Sequence, residues 1–474
     1  MAKWRQAAVG FVGEGSALSG GFVGFVRKYA TEKEDGCPRV RGDYFRMSFS
    51  IPSKFVTLPS LSFLCLWSFH VLAGTDDWPQ RRGPFDSGST QAGLTPTSLE
   101  DANLAWKVEL PGKGCSTPIF FDKRIYVTAP VGGNDAVLAY DWEGKLLWKT
   151  EFSAETPGKH RNASGCNPSP VTDGKLIFVA YKSGSLAALN LDGSIRWQKN
   201  LVALFGPVHL FWDFGTSPVL TEKDVVMARM HGGESWLAAF DKETGEIRWK
   251  TDRTYAVPRE VDNGYTTPQV IQHEGKQALL SWGAEHLTIH DAAKGNLMWS
   301  CGDFNPAKSP LWPAIASSVV VDGMAVVCFG RADKGAPRLH GIKLGGGGDV
   351  TTTNRAWLRE DVGAFVPTPV GYKGRVYVLS DRGQLDCVEP VTGKSVWTET
   401  LPRSSSNFYA SPVIAGGVMY APREDGTVFV LQIEGGFKVL AERKFDDRVI
   451  ASVVPAKERV LVRGETFLYC FKRP

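Results

Sequence analysis

Strand-length apolar runs recur along the chain, and each is stopped by a turn signal. Leu186-Ala187-Ala188-Leu189 gives way to Asn190 and Gly193, and Leu237-Ala238-Ala239-Phe240 gives way to Asp241 and Gly245. Asp or Asn caps a short turn, Gly supplies the positive φ it needs, and the chain re-enters a second strand. That second strand carries a tryptophan at a fixed place. Ala239-Phe240-Asp241-Lys242-Glu243-Thr244-Gly245-Glu246-Ile247-Arg248-Trp249 sets the pattern, and it returns at Asp141…Gly144…Trp148, Asn190…Gly193…Trp197, Asp291…Gly295…Trp299 and Glu389…Gly393…Trp397. In each, Trp follows the turn Gly by four residues. Gly436 and Leu440 repeat the spacing with Leu for Trp, and Trp357 follows an expanded Gly345–Gly348 turn. A large apolar ring placed so regularly is expected to dock between adjacent sheets.

A second element precedes each copy. Ser116-Thr117-Pro118, Pro168-Ser169-Pro170, Thr216-Ser217-Pro218, Thr266-Thr267-Pro268, Ser317-Ser318, Pro367-Thr368-Pro369, Ala410-Ser411-Pro412 and Ala451-Ser452 lie 41 to 52 residues apart, the span of a four-stranded propeller blade. Within a repeat the order is strand, turn, strand, turn, strand, Gly turn, Trp strand. The last repeat stops at Thr466-Phe467-Leu468-Tyr469-Cys470-Phe471 without its fourth strand, and the first is preceded by an orphan strand, Leu104-Ala105-Trp106-Lys107-Val108. Joining the two removes two open sheet edges. The prediction is therefore all-β: an eight-bladed β-propeller of four-stranded antiparallel blades, closed by an N-terminal strand on the C-terminal blade. Seven blades with a C-terminal tail is the alternative. Trp106, Trp148, Trp197, Trp249, Trp299, Trp357 and Trp397 are the expected docking residues.

Composition agrees: 51 Gly and 15 Trp among 474 residues suit many tight turns between aromatic-packed strands. Charge narrows the partners. Residues 1–74 hold nine Lys/Arg and five Asp/Glu, so the rest holds 45 of each and has no net charge to attract nucleic acid.

The N-terminus reads as targeting. Lys54 precedes an uncharged apolar stretch from Phe55 to Thr75, and Val71-Leu72-Ala73 closes it before Gly74. This is a signal-peptide pattern with Met47 as a natural start. The division is 1–46 an extension or misassigned start, 47–74 the signal, 75–103 a lead-in and 104–474 the propeller. A periplasmic or secreted monomer with no integral membrane domain after cleavage follows. A retained signal anchor is the alternative, weakened by Pro59 and His70. Cys65 follows Phe63-Leu64, where a lipobox needs a small residue. Six Cys follow the segment, with no Cys-x-x-Cys; Cys115 and Cys166 precede equivalent strands and are the disulfide pair to test, with free buried thiols the alternative.

These repeats resemble the PQQ-like propeller repeat, with its Ala-x-Asp-x-x-Thr-Gly-x-x-x-Trp docking motif, over roughly residues 104–471. Asp77-Trp78-Pro79-Gln80-Arg81-Arg82-Gly83-Pro84 looks like the start of exported PQQ-like proteins of planctomycete-type bacteria. The resemblance implies one of two branches: quinoprotein alcohol dehydrogenases, with PQQ and calcium in the central channel, or non-catalytic BamB-like scaffolds. Fold does not choose between them. The chain lacks the vicinal Cys-Cys, the Cys-x-x-Cys-His haem site and the long insertions that the dehydrogenase branch implies, and it has no His-Glu-x-x-His, Gly-x-Ser-x-Gly or P-loop. Asp192-Gly193 and Asp425-Gly426 read as turns rather than calcium loops. The expectation is a scaffold with no catalytic residue, metal or cofactor; a PQQ- and calcium-dependent oxidoreductase is the alternative.

Propeller ligands sit where the connections from outer to inner strands meet. The long connections 150–167, 200–215, 250–265 and 300–316, with the one before Ser411, carry Arg161, Asn162, His209, Phe211, Trp212, Asp213, Asp262, Asn263, Tyr265, Trp312, Asn407 and Tyr409. Aromatic rings among amide, Arg and carboxylate groups suit an envelope protein or a glycan; packing of the loops on the rim is the alternative. N-terminal sequencing of the exported protein is expected to begin near Gly74–Asp76, and an intact Met1 would overturn the Met47 start.

Overall fold

The computed structural model describes residues 77–91 and 95–473; the extension, the signal segment and Cys65 lie outside the described residues. Eight antiparallel sheets follow one another along the chain: blades 1 to 7 span 119–154, 171–200, 219–252, 269–301, 319–359, 370–400 and 413–444. Blade 8 takes three strands from 454–472 and its outermost strand from Leu104–Glu109, with Trp106 opposite Cys470 and Val108 opposite Leu468. This is the eight-bladed ring, closed by its N-terminal strand. Among the described residues one short α-helix occurs, Leu201–Phe205, and no helix is long and apolar enough to cross a membrane.

The sequence pattern follows from what each strand touches. Central strands face a neighbouring blade on both sides, so Asp224–Arg229 and Ser185–Leu189 are buried throughout and read as near-continuous apolar runs. Outer strands bury one face only: in Ile195–Asn200, Trp197 is buried while its neighbours are exposed.

The tryptophans join blades. Each indole docks on the turn of the following blade, and its N–H donates to a turn carbonyl: Trp106 to Trp142 (2.9 Å), Trp148 to Leu191 (3.1 Å), Trp197 to Lys242 (2.8 Å), Trp249 to Ala292 (3.1 Å), Trp299 to Gly345 (3.0 Å) and Trp357 to Pro390 (2.9 Å). The turn glycine lies under the ring. A Cβ on Gly144, Gly193, Gly245, Gly295 or Gly393 would stand 2.4 to 2.7 Å from the indole of the preceding blade. Glycine is thus needed both for φ of +69° to +88° and for close approach. Trp397 instead packs on Phe437, with ring centroids 5.8 Å apart.

The Ser/Thr element forms an inner ring. Backbone N–H groups donate to the hydroxyl of the next blade from Thr117 to Ser169, Ser169 to Ser217, Ser217 to Thr267, Thr267 to Ser317, Ser317 to Thr368 and Thr368 to Ser411, all at 2.9 to 3.1 Å. The Ser452 hydroxyl donates to the Ser411 carbonyl (2.9 Å). At the seam between blades 8 and 1, the buried Arg463 guanidinium donates to the carbonyls of Ser116 (2.8 Å) and Thr128 (2.7 Å).

The lead-in, expected only to precede the propeller, lies inside it. Trp78 and Phe120 exchange backbone bonds, Pro79 accepts from Thr172, and Gln269 donates to the Asp86 carbonyl. Arg81 donates to Ser317 Oγ, and Arg82 to the carbonyls of Pro412 (3.0 Å) and Pro369 (2.8 Å). Ser89–Thr90 adds a parallel strand to Ile414–Ala415. Residues 78–90 thereby join the inner strands of six blades, and their backbone bonds lie beyond the hydroxyl ring from the connections, so they occupy that end of the channel.

Both Cys115 and Cys166 are free, and the pairing is not formed: the Cys115 thiol donates to the Asn162 carbonyl (3.1 Å) and Cys166 faces Asp135. Trp249→Ala is expected to cost about 3–5 kcal/mol in denaturant unfolding, and Trp397→Ala about 1 kcal/mol less because no indole–carbonyl bond is lost. Equal costs would remove the docking bond from the account.

Candidate functional site

Each inner strand begins two residues after its ring hydroxyl, and the chain enters it extended, so side chains alternate along this approach. The residue two before each hydroxyl therefore shares its side. These positions are Cys115, Asn167, Gly215, Tyr265, Ile315, Val366, Tyr409 and Ile450. All but Cys115 line one cavity of about 690 Å3 at the channel mouth. The wall above them comes from seven connections and from the turns at 331–334 and 381–382. The lead-in packs against the inner strands on the other side of the hydroxyl ring from this cavity.

Seven of the sequence candidates line it: Asn162, Phe211, Trp212, Asp213, Tyr265, Asn407 and Tyr409. Trp212 is 42% and Phe211 52% exposed, and their rings meet edge to face at 4.9 Å. The Trp212 backbone N–H donates to the Tyr265 hydroxyl (3.0 Å), which fixes the rim. Asp213 is buried; it takes the Lys182 ammonium at 2.5 Å and the backbone N–H groups of Lys159 and His160. Burial pushes its carboxyl up, but these bonds together outweigh that and hold it below the usual range.

The other five lie elsewhere. Asn263 is buried under the rim, where its Oδ1 accepts from the Phe211 N–H (2.9 Å). Trp312 packs on Phe329 between blades 4 and 5. His209 packs against His231, ring centroids 5.5 Å apart. Arg161 lines a neighbouring Gly- and Pro-walled cleft and pairs with Glu424 at 3.2 Å. Asp262 accepts from the Asn263 amide.

Several mouth residues carried no sequence signal. Glu424, on the second turn of blade 7, is buried and collects Arg161, Arg448 (3.0 Å), the Asn162 amide (2.9 Å) and the Asn407 N–H (3.0 Å). Arg331 grips Asp333 in two bonds and covers the Phe365 ring at 4.3 Å. His160 stands between Trp212 and Tyr409, and burial first, then Arg161, lowers its pKa. Asp381 is buried at the wall. Burial pushes it up to about 6 although the N–H groups of Phe365 (2.7 Å) and Val366 (3.0 Å) bond it. Asp192 and Asp425 cap their own turns, accepting from Ser194 and Thr427. Among the described residues no three His, Cys, Asp or Glu side chains cluster to hold a metal.

Comparison with known proteins bears on this site. The family model described as outer membrane protein assembly factor BamB matches residues 85–259, 137–367 and 283–440. The chain is 26% identical to the outer membrane protein assembly factor BamB of Escherichia coli over 422 residues, 78% of this chain and 97% of that one. It is 23% identical over 216 residues to the quinone alcohol dehydrogenase subunit of Acetobacter aceti, covering 43% of this chain and 27% of that one. Among solved structures, BamB from Moraxella catarrhalis superposes with a TM-score of 0.56 at 14% identity, covering 78% and 97% of the two chains. A europium-containing methanol dehydrogenase reaches 0.65 at 12%, covering 85% and 99%. At such identities the structural likenesses speak for the fold. The planctomycete likeness of the lead-in has no support in these matches.

Asp381, and Asp135, which burial also raises to about 6, hold their protons more tightly folded than unfolded. Each contributes stability that is present near pH 4 and lost as the pH rises toward 6. Asp381→Asn is expected to flatten the change in unfolding free energy between pH 4 and 7 by about 2 kcal/mol. Parallel pH profiles for variant and wild type would contradict it.

Proposed function

The chain belongs to the outer membrane protein assembly factor BamB family, and on that footing we propose that it is an exported, non-catalytic scaffold that binds an envelope partner, protein or glycan, through its channel-mouth loops. One observation carries this reading: a cavity of about 690 Å3 at the channel mouth, lined by seven of the eight connections and edged by exposed rings on a braced rim. Cavities of this size with convergent polar groups are binding sites by default. The exported location, periplasmic or secreted, rests on the targeting segment.

The donor chemistry favours binding over quinone catalysis. Calcium needs uncommitted carboxylate and amide oxygens. Here Asp213 is held by Lys182, Asp333 by Arg331 and Asp381 by two backbone N–H groups. The chain also has no vicinal cysteines to lie over a quinone. These residues do not fit PQQ and calcium, and no oxidation step is assigned to them.

A photo-crosslinking residue placed at Trp212, in intact cells, is expected to trap a discrete partner; the same residue at Lys294, on the exposed turn of the opposite face, is not. Absence of any adduct from the mouth would refute the reading.

A further inference from the structure

The mouth has two chemically different parts. Its floor is mostly apolar: Tyr265, Ile315, Val366, Tyr409 and Ile450 stand two residues before their ring hydroxyls, and Asn167 is the one polar amide among these positions. Gly215, in the same position, contributes no side chain and leaves room. Its lip is cationic on one sector. Arg259, Lys334 and Arg382 come from the connection after blade 3 and from turns of blades 5 and 6; all three are exposed, and none makes a salt bridge among the described residues. The carboxylates around them are engaged. Arg331 holds Asp333 and backbone N–H groups hold Asp381. Glu260 lies in the field of Arg331 and Arg259. Phe211 and Trp212, on the neighbouring connection between blades 2 and 3, stand exposed beside this sector.

We propose that the well seats one large apolar side chain of a protein segment whose flanking residues are acidic. The proposal rests on the mouth being the binding site. A floor made largely of Ile315, Val366, Ile450 and the faces of Tyr265 and Tyr409 rewards an apolar group and offers the many hydroxyls of a buried sugar few partners. A volume of about 690 Å3 takes a large aromatic or long aliphatic side chain together with part of its flanking segment and excludes a folded element. Exposed cations without internal partners attract carboxylates from solution and set the orientation of approach. The floor then selects the anchor and the lip selects its flanks.

Two variants separate these parts without unsettling the ring. A Cβ on Gly215 meets nothing nearer than the Tyr265 carbonyl at 4.0 Å, so Gly215→Trp fills the well without a backbone clash. The triple variant Arg259→Gln, Lys334→Gln, Arg382→Gln removes exposed charges that bond nothing in the fold. Melting curves matching wild type establish that both are folded.

The probe is a phage-displayed library of random heptapeptides, selected on the exported protein. The expected consensus is one Phe, Trp, Leu or Ile with at least two Asp or Glu beside it. The synthesised peptide is expected to bind at least about tenfold more weakly to Gly215→Trp and to the triple variant, and more weakly as salt rises. A consensus that is basic, or lacks a large apolar residue, overturns the proposal. So does binding of an oligogalacturonate that Gly215→Trp abolishes, which would make the mouth a glycan site. If crosslinking at Trp212 still captures a partner, and that capture is lost in Gly215→Trp but unchanged in the triple variant, the scaffold reading stands and the acidic-segment proposal falls. If Trp212 captures nothing, both fall.

Discussion

An indole resting on a glycine is the contact on which the ring depends. Five outer-strand tryptophans, Trp106, Trp148, Trp197, Trp249 and Trp357, lie over the turn glycine of the next blade and give their N–H to a carbonyl of that turn. The contact buries a large ring and satisfies its one polar atom, so it combines apolar area with orientation. It also fixes how far one blade stands from the next, because a single Cβ would hold them apart. Repeated around the circle, it sets the separation between neighbouring blades, and the closing strand with Trp106 follows the same rule at the seam.

The hydroxyl ring does for the channel what the tryptophans do for the rim. Inner strands converge on the axis, and their first N–H groups have no partner within the blade. Ser and Thr at the start of the neighbouring blade accept them. This locks the register of every inner strand, and register decides which side chains face the mouth. The floor of the cavity is a consequence: once the hydroxyls are placed, the residues two before them have only one place to go.

At the far end the chain uses its own lead-in. Arg82 is buried among backbone carbonyls of blades 6 and 7, and burial, then Arg81, brings its guanidinium down to about 9. A buried cation is costly unless its hydrogen bonds are made. Carbonyls at the start of converging inner strands supply them, and the segment in turn ties those strands together at this end.

The repeat, the blade count, the closing strand and the docking tryptophans were legible in the sequence because they rest on interactions with a fixed local spacing. Turn, strand and Trp recur in each copy, so one misread copy is corrected by the others. Seven mouth candidates were legible for a weaker reason: Asn162, Phe211, Trp212, Asp213, Tyr265, Asn407 and Tyr409 lie on connections that enter the channel. Asn263, Trp312 and His209 lie on equally long connections, yet they pack beneath the rim or into the blades, since a loop's length does not say which side chains turn inward. Glu424, Arg331, Asp333, Asp381 and Arg382 come from turns inside blades and are brought to the mouth only by the ring. The sequence by itself determined the scaffold, through contacts whose spacing repeats. Only the tertiary structure decided the site and the buried course of the lead-in, because each gathers groups from many blades, some more than two hundred residues apart, that no local pattern links.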